Sequence, residues 1–312
     1  MGSAGLMVFA ATTACAQDYP AKTIRIITST VGAGADFAAR QIAQGISGPL
    51  GQPVVVENRP VSTVAAETVA KAAPDGYVLL VSGGSVWLNT VTRKGLPYDV
   101  VTDFAPITIV ERGVMMMAVH PSLPVRSVKE LIAFAKANPG RINYAASGLG
   151  GATHLSVAML MSMTGIKFVG VQYKGGQLAI SSVISGETQL MIADVLVVVP
   201  HMKSNRLRVL AVTSATPSAI APDLPTMAAA GLPGYEWIAM TGVWAPAKTP
   251  PAIITRLNQE VVRTLTRPEI KQRFLANGLE IVANTPEQAA AAIKADIAKT
   301  IKVVNEAGLK IE

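Results

Sequence analysis

The chain has 312 residues, half of them hydrophobic, enough for one large or two medium domains with cores of their own. Charged residues make up only 15%, and 26 Gly with 20 Pro is near average, which excludes disordered, collagen-like and low-complexity chains. Twenty-seven Lys and Arg against 20 Asp and Glu give a formal charge of +7; the basic residues are scattered and only 5% of residues are aromatic, so nucleic acid is not an expected partner.

Residues 1–16 hold no Asp, Glu, Lys or Arg. An apolar core from Leu6 to Ala11 leads into Ala14, Cys15 and Ala16, with small residues where a signal peptidase reads, which predicts an export signal cleaved after Ala16 and a periplasmic location. The segment lacks a positive n-region, and Thr12-Thr13-Ala14-Cys15 loosely resembles a lipoprotein site; a frayed N-terminal helix is the competing reading. Beyond it, no apolar run approaches the ~18 residues that span a bilayer.

From Thr23 onward, short apolar runs alternate with 3.6-periodic stretches, the pattern of βαβ units around a parallel sheet and hence of an α/β fold. A strand over 24–27 runs into the turn Val31-Gly32-Ala33-Gly34-Ala35, and Asp36 is placed to cap a helix over 37–47 that Gly48-Pro49 ends. A strand over 54–56, a helix over 63–73 stopped by Pro74-Asp75-Gly76, and a strand over 78–81 ending in Ser82-Gly83-Gly84-Ser85 follow. A second series has strands over 107–110 and 114–119, a helix over 128–137, and a strand over 142–145. That strand ends in Ser147-Gly148-Leu149-Gly150-Gly151, which opens a helix through Thr153, Leu155 and Met159. Strands over 168–171, 190–192 and 209–212 and a helix over 177–185 complete it. From Pro251 the chain is helical with breaks at Pro268 and Asn277-Gly278. The pattern predicts two lobes: 17–118 as the first part of lobe 1, 119–240 as lobe 2, and 241–312 as a return segment whose last helix, after Pro286, packs on lobe 1.

Most catalytic signatures are missing. Processing removes the single cysteine. His120, His154 and His201 show no metal-ligand spacing, Ser85 has Trp87 where a nucleophile elbow needs glycine, and the Gly32/Gly34 and Gly148/Gly150 turns lack the third glycine of a dinucleotide loop. No metal or cofactor is implied.

What remains is a set of small-residue loops at the C-terminal ends of predicted strands, where open α/β sheets bind ligands. Unpaired amides and the helix dipole at such loops favour an anion. The candidates are Gly32, Ala33, Gly34 and Asp36; Ser82, Gly83 and Ser85; and Ser147, Gly150, Gly151, Thr153 and His154. Tyr173-Lys174-Gly175 adds a ring, a cation and pliable backbone, and Asp194 lies in an apolar run where a lone carboxylate is costly. Ordinary βα turns are the alternative for any one loop. Trp87, Trp237 and Trp244 fit either a cleft or the core.

These segments resemble the substrate-binding receptors of tripartite tricarboxylate transporters, the Bug family, over nearly the whole chain after residue 16. The resemblance is carried by Tyr19-Pro20-Ala21-Lys22-Thr23-Ile24, Leu50-Gly51-Gln52-Pro53-Val54-Val55-Val56-Glu57-Asn58-Arg59-Pro60, Ala73-Pro74-Asp75-Gly76-Tyr77, Asp103-Phe104-Ala105-Pro106, Val171-Gln172-Tyr173-Lys174-Gly175 and Ala245-Pro246-Ala247-Lys248-Thr249-Pro250. It implies a two-lobed periplasmic receptor of the type II binding-protein (Venus-flytrap) fold, acting as a monomer. Such a receptor closes on a small carboxylated ligand, held by backbone amides and trapped water, and hands it to a membrane permease. The family's pocket maps onto Gly32 to Asp36 and Ser82 to Ser85 in lobe 1, and onto Ser147 to His154, Tyr173 to Gly175 and the surroundings of Asp194 in lobe 2. The sequence departs from the family at Thr28-Ser29-Thr30-Val31-Gly32-Ala33-Gly34 and at Val61-Ser62-Thr63-Val64, where glycines are usual; both changes narrow the space near the ligand. Two competing functions are an isomerase or hydrolase using Asp36, Asp194, His154 and Lys174 as acid and base, and a partner of a sensor ectodomain.

Overall fold

The computed structural model describes residues 19–308 apart from Thr30, Ala33, Pro60, Lys203 and Ala219. The expected export signal and Ala33 lie outside the described residues.

Three parallel strands, β1 (Ile24–Thr28), β2 (Val54–Asn58) and β3 (Val78–Gly83), pair in the order β2-β1-β3. Helix α1 (Gly34–Leu50) lays Ala38, Ala39, Ile42 and Ile46 against Ile26, Leu79 and Val81 on one face, and α2 (Ser62–Ala70) lays Ala65, Ala66 and Val69 near Ile27 and Leu80 on the other. Burial on both faces accounts for the Leu79-Leu80-Val81 run of β3, while the edge strand β2 leaves Val55 exposed. α1 starts ahead of the expected 37–47 span and runs through Gly48-Pro49 to Leu50, so Asp36 sits inside the first turn instead of before it. A short helix that periodicity did not reveal, α3 (Ser85–Thr92), follows β3 directly.

The strands expected over 107–110 and 114–119 are one 16-residue strand, β4 (Phe104–Val119). Up to Val114 it pairs antiparallel with β9 (Ile238–Pro246), which also pairs with β3. On its other edge, Glu111 to Gly113 face β10 (Leu279–Ile281). From Met115 onward its partners are β7 (Leu190–Asp194) and β8 (Arg208–Val212). Beside β7 lie β5 (Asn143–Ala146) and β6 (Val169–Gln172), both parallel to it. The strand order is β2-β1-β3-β9-β4-β7-β5-β6, with β8 and β10 also on β4. The chain thus passes from one sheet half to the other between Val114 and Met115, a little ahead of residue 118, and returns at Ile238.

Four helices cover the second half: α4 (Val128–Ala137), α5 (Ala152–Thr164), α6 (Gly176–Ser185) and α7 (Val195–Met202). The return segment supplies α8 (Pro251–Leu265), α9 (Pro268–Ala276) and α10 (Pro286–Glu306). Helix α10 packs on α3 and β4, as expected for lobe 1, and also on α5 of the second half. Its buried face of Ala289, Ile293, Val303 and Val304 fills a cluster holding both Trp87 and Leu155, and Asp296 accepts a 2.7 Å hydrogen bond from the Trp87 indole. All three tryptophans belong to that core, with the Trp87 and Trp244 rings 5.5 Å apart.

Candidate functional site

The C-terminal ends of β1, β3, β5, β6 and β7 all point toward the line where β4 crosses between the halves, so the loops singled out above gather along one cleft. Among the described residues, the halves approach one another closely at two of these loops. At Gly150, ahead of α5, a Cβ would lie 1.9 Å from Thr92 Oγ1 and 3.2 Å from Asn89 Oδ1 on α3; at Gly34, the first residue of α1, it would lie 3.9 Å from Leu196 on α7.

On the lobe 1 side, Asp36 is only 3% exposed. Its carboxylate accepts hydrogen bonds from the Gly32 amide (3.0 Å), the Asn58 amide group (2.8 Å) and Arg40 Nε (3.1 Å), while Asn58 also donates to the Ser29 carbonyl at 2.8 Å. Burial alone raises the pKa of Asp36, but the bonds from Arg40, Asn58 and Gly32 outweigh it and hold the carboxyl below its usual range. Asp36 therefore builds the loop that the ligand would meet, and its oxygens are already occupied. Thr28 Oγ1 at the end of β1, Ser82 Oγ near the end of β3 and Asn89 Oδ1 one turn into α3 are buried without hydrogen-bond partners among the described residues. Buried polar atoms in that condition call for a ligand or ordered water. Gly83 lies in the sheet opposite Thr241, and Ser85 begins α3. Val31, Val61 and Val64, in the two segments expected to narrow the space near the ligand, are exposed by 65%, 48% and 43%, so their side chains face solvent.

On the lobe 2 side, the Ser147 amide donates to Thr153 Oγ1 at 2.9 Å and the two hydroxyls lie 3.0 Å apart. The Gly150 amide donates to His154 Nδ1 at 3.2 Å, and the His154 ring stacks on Tyr144 with centroids 6.2 Å apart. Ser147, Thr153 and His154 thus fix the turn, Gly151 caps α5, and the first amides of α5 are left without intrahelical acceptors. Gly175 caps α6 with φ +109° and donates to the Ser147 carbonyl at 3.3 Å, joining the two loops. Tyr173 differs from expectation: its ring packs on the second-half core, and burial foremost raises the hydroxyl, which lies by Ser182 and Glu187 along the flank of α6. Lys174 is exposed, with no ion pair among the described residues.

At the base of the cleft stand two acids. Asp194 ends β7 opposite Met115, and burial pushes its carboxyl up to about 6. Glu111, which the sequence reading passed over, lies on β4 between Thr241 and Ile281 and is 3% exposed. Burial pushes it up to about 8, with the Thr241 hydrogen bond opposing and the Asp194 charge adding. A lone acid in the otherwise apolar run around Val110 was the available signal. No group of three metal-ligating side chains gathers among the described residues. Two surface hollows, of about 460 Å³ beside Arg93, Tyr98 and Asp103 and about 300 Å³ beside Lys136, Met163 and Pro233, contain none of these residues.

Comparison with known proteins places this geometry in a lineage. The family model described as tripartite tricarboxylate transporter family receptor matches residues 38–309. Protein BugT of Bordetella pertussis is 33% identical over 302 residues, covering 95% of this chain and 93% of the relative. The structure of R. palustris Rpa4515 with adipate superposes with a TM-score of 0.89 at 33% identity, covering 94% of this chain and 99% of that one. MatC from Rhodopseudomonas palustris with bound malate gives 0.84 at 26% identity, covering 92% of this chain and all (100%) of the other. The architecture is the two-lobed α/β fold of periplasmic binding proteins. On these likenesses the chain belongs to the tripartite tricarboxylate transporter receptor family, a family of solute-binding receptors and not of enzymes.

Proposed function

We propose that this receptor works in the periplasm as a monomer, closing its lobes on a small carboxylate and delivering it to the permease of a tripartite transporter. Lobe 1 comprises 19–114 with the return segment from 238, and lobe 2 comprises 115–237. One observation carries the reading: Gly150 ahead of α5 lies against Thr92 at the end of α3, and Gly34 at the start of α1 against Leu196 in the first turn of α7, while Thr28, Ser82 and Asn89 on the lobe 1 side each keep an unpartnered buried polar atom among the described residues. Amides at the starts of α1, α3, α5 and α6 hold the carboxylate, the helix dipoles favour its charge, and the three side-chain groups bind its oxygens or the waters around it. Gly32, Gly34, Gly83, Ser85, Gly150, Gly151 and Gly175 contribute backbone; Asp36, Ser147, Thr153 and His154 shape the loops. The adipate and malate bound by the two R. palustris relatives support a small organic acid as ligand. An acid–base enzyme is not favoured, since Asp36 is held by Arg40 and Asn58, and His154 takes the Gly150 amide.

Thermal unfolding with a panel of mono-, di- and tricarboxylates tests the reading. A rise in melting temperature with at least one acid is expected, and a flat response to all of them at millimolar concentration would refute it.

A further inference from the structure

We propose that the pole of lobe 2 farthest from the cleft loops is a docking surface for an acidic segment of another protein. Ion pairing is divided unevenly over the molecule. Every ion pair between described residues lies in lobe 1 with its return segment, from Lys22 with Asp75 to Lys302 with Glu306. Lobe 2 carries exposed Lys129, Lys136, Arg141 and Lys167 and pairs none of them among the described residues. Its acids are engaged elsewhere. Glu130 accepts the Arg126 amide at 2.7 Å, Glu187 stands by the Tyr173 hydroxyl, Asp194 is buried at the end of β7, and Glu236 lies in the field of Arg112. Asp223 follows Ile220, on the side that packs against Gly278 of lobe 1.

These four cations gather at one place. β5 and β6 are parallel neighbours whose C-terminal ends feed the cleft loops, and Arg141 and Lys167 stand just ahead of their N-terminal ends, at the opposite edge. The backbone is tied together there: the Gly140 amide donates to the Lys167 carbonyl at 3.1 Å, and the Arg141 amide to the carbonyl of Asn138, the C-cap of α4, at 3.2 Å. On α4, Lys129, Ile132 and Lys136 are spaced i, i+3, i+7 and share a face. Ile132 and Lys136 line the hollow of about 300 Å³ together with Pro233 and with Met163 near the end of α5, whose side chain is 39% exposed. Cations of one sign with no acid to answer them attract an acidic surface and align it on approach. A second copy of this chain, at +7, is repelled instead. The hollow between the cations is concave and partly apolar, so it receives an apolar side chain projecting from a protein, whereas a bilayer is gripped by apolar side chains that project into it. An acidic segment with an apolar anchor satisfies both features, and docking at this edge leaves the cleft loops uncovered.

The experiment is fluorescence anisotropy of a labelled peptide of Glu residues around a central Leu, titrated with the full chain at about 0.15 M salt, where a Debye length of ~8 Å limits non-specific attraction. Wild type is compared with the triple variant Lys136→Glu, Arg141→Glu, Lys167→Glu. A control triple variant, Lys94→Glu, Lys271→Glu, Lys294→Glu, changes the net charge equally at exposed sites of lobe 1. Wild type and control are expected to bind the peptide alike, and the lobe 2 variant about tenfold or more weakly. The milder Lys136→Gln, Arg141→Gln, Lys167→Gln should weaken binding by a smaller factor at an unaltered melting temperature, which separates lost docking from lost folding. Exchanging the central Leu of the peptide for Ser should weaken wild-type binding too. Absence of wild-type binding, equal loss in both Glu triple variants, no loss in the lobe 2 variants, indifference to the central Leu, or preference for phosphatidylglycerol vesicles over the peptide overturns the proposal. The receptor reading is judged separately, by the response of the melting temperature to carboxylates.

Discussion

Gly150 needs to be glycine for two separate reasons. Its φ of +71° lies in the left-handed region, and any Cβ would run into the Thr92 hydroxyl across the cleft. Gly150→Val should therefore weaken, by about tenfold or more, equivalent to about 1.4 kcal/mol, capture of a carboxylate that binds the wild type, along with a lower melting temperature from the strained φ. An unchanged affinity by titration calorimetry would remove Gly150 from the site. Asp36 behaves differently. Replacing it with Ala orphans the Gly32 amide, Asn58 and Arg40, a cost of roughly 1–3 kcal/mol that shows first as a lower melting temperature. Since its folded-state pKa is depressed below 3.8, this stability is present above that pH and lost as pH falls through the folded value, so wild type and Asp36→Ala should converge in acid. At this scale the sequence names loops, and the structure shows what several of their side chains bond to. Asp36, Ser147, Thr153 and His154 are residue types that suit a ligand or a turn equally well, and spacing does not say which way a carboxylate or hydroxyl faces. Thr28 and Asn89 escaped notice for the converse reason: nothing local marks a polar atom whose partners all lie elsewhere in the fold.

Among the elements, the best-read ones are those whose periodicity is uncontested, such as α4 and β1. The eight residues of α7 include four valines, a composition that hides a helix from pattern reading; the helix follows β7, which ends at Asp194. Eight-residue α3 is too short to display a period. In β4, Glu111-Arg112-Gly113 resembles a turn, yet the strand runs through it because β9 and β10 pair on both edges there. In β9, Gly242 breaks the apolar pattern for a packing reason: a Cβ would meet the Trp244 ring at 2.6 Å. The same logic joins α1 to α8, where a Cβ on Gly45 would lie 2.0 Å from Thr264 Cγ2. Gly45→Ala gains about 1 kcal/mol of helix propensity but forces these helices apart, at a typical overpacking cost of 1–3 kcal/mol. A net loss of stability is expected by denaturant titration; a gain would show that α1 and α8 are less closely held than described.

For the whole molecule, binding must show as mass action on the closed state. An acid present at about 100 times its dissociation constant should add about 2.7 kcal/mol to unfolding, and small-angle scattering should report a smaller radius of gyration once it is added. Unaltered scattering alongside a raised melting temperature would mean the lobes are shut before the ligand arrives. Periodicity suggested two α/β series and a helical return segment; their joining through one shared strand was beyond local pattern because pairing between distant segments leaves no mark in either one. That shared strand has a mechanical consequence. Because β4 stays laddered to neighbours on both edges through the crossing, the two halves pivot on a stiff, load-carrying beam and not on slack tether. Swinging apart must be absorbed as torsion spread along a paired ribbon, which resists wide excursions and springs back, so the jaws have a small, well-defined gape, and neither jaw severed from the other keeps an intact edge to fold upon.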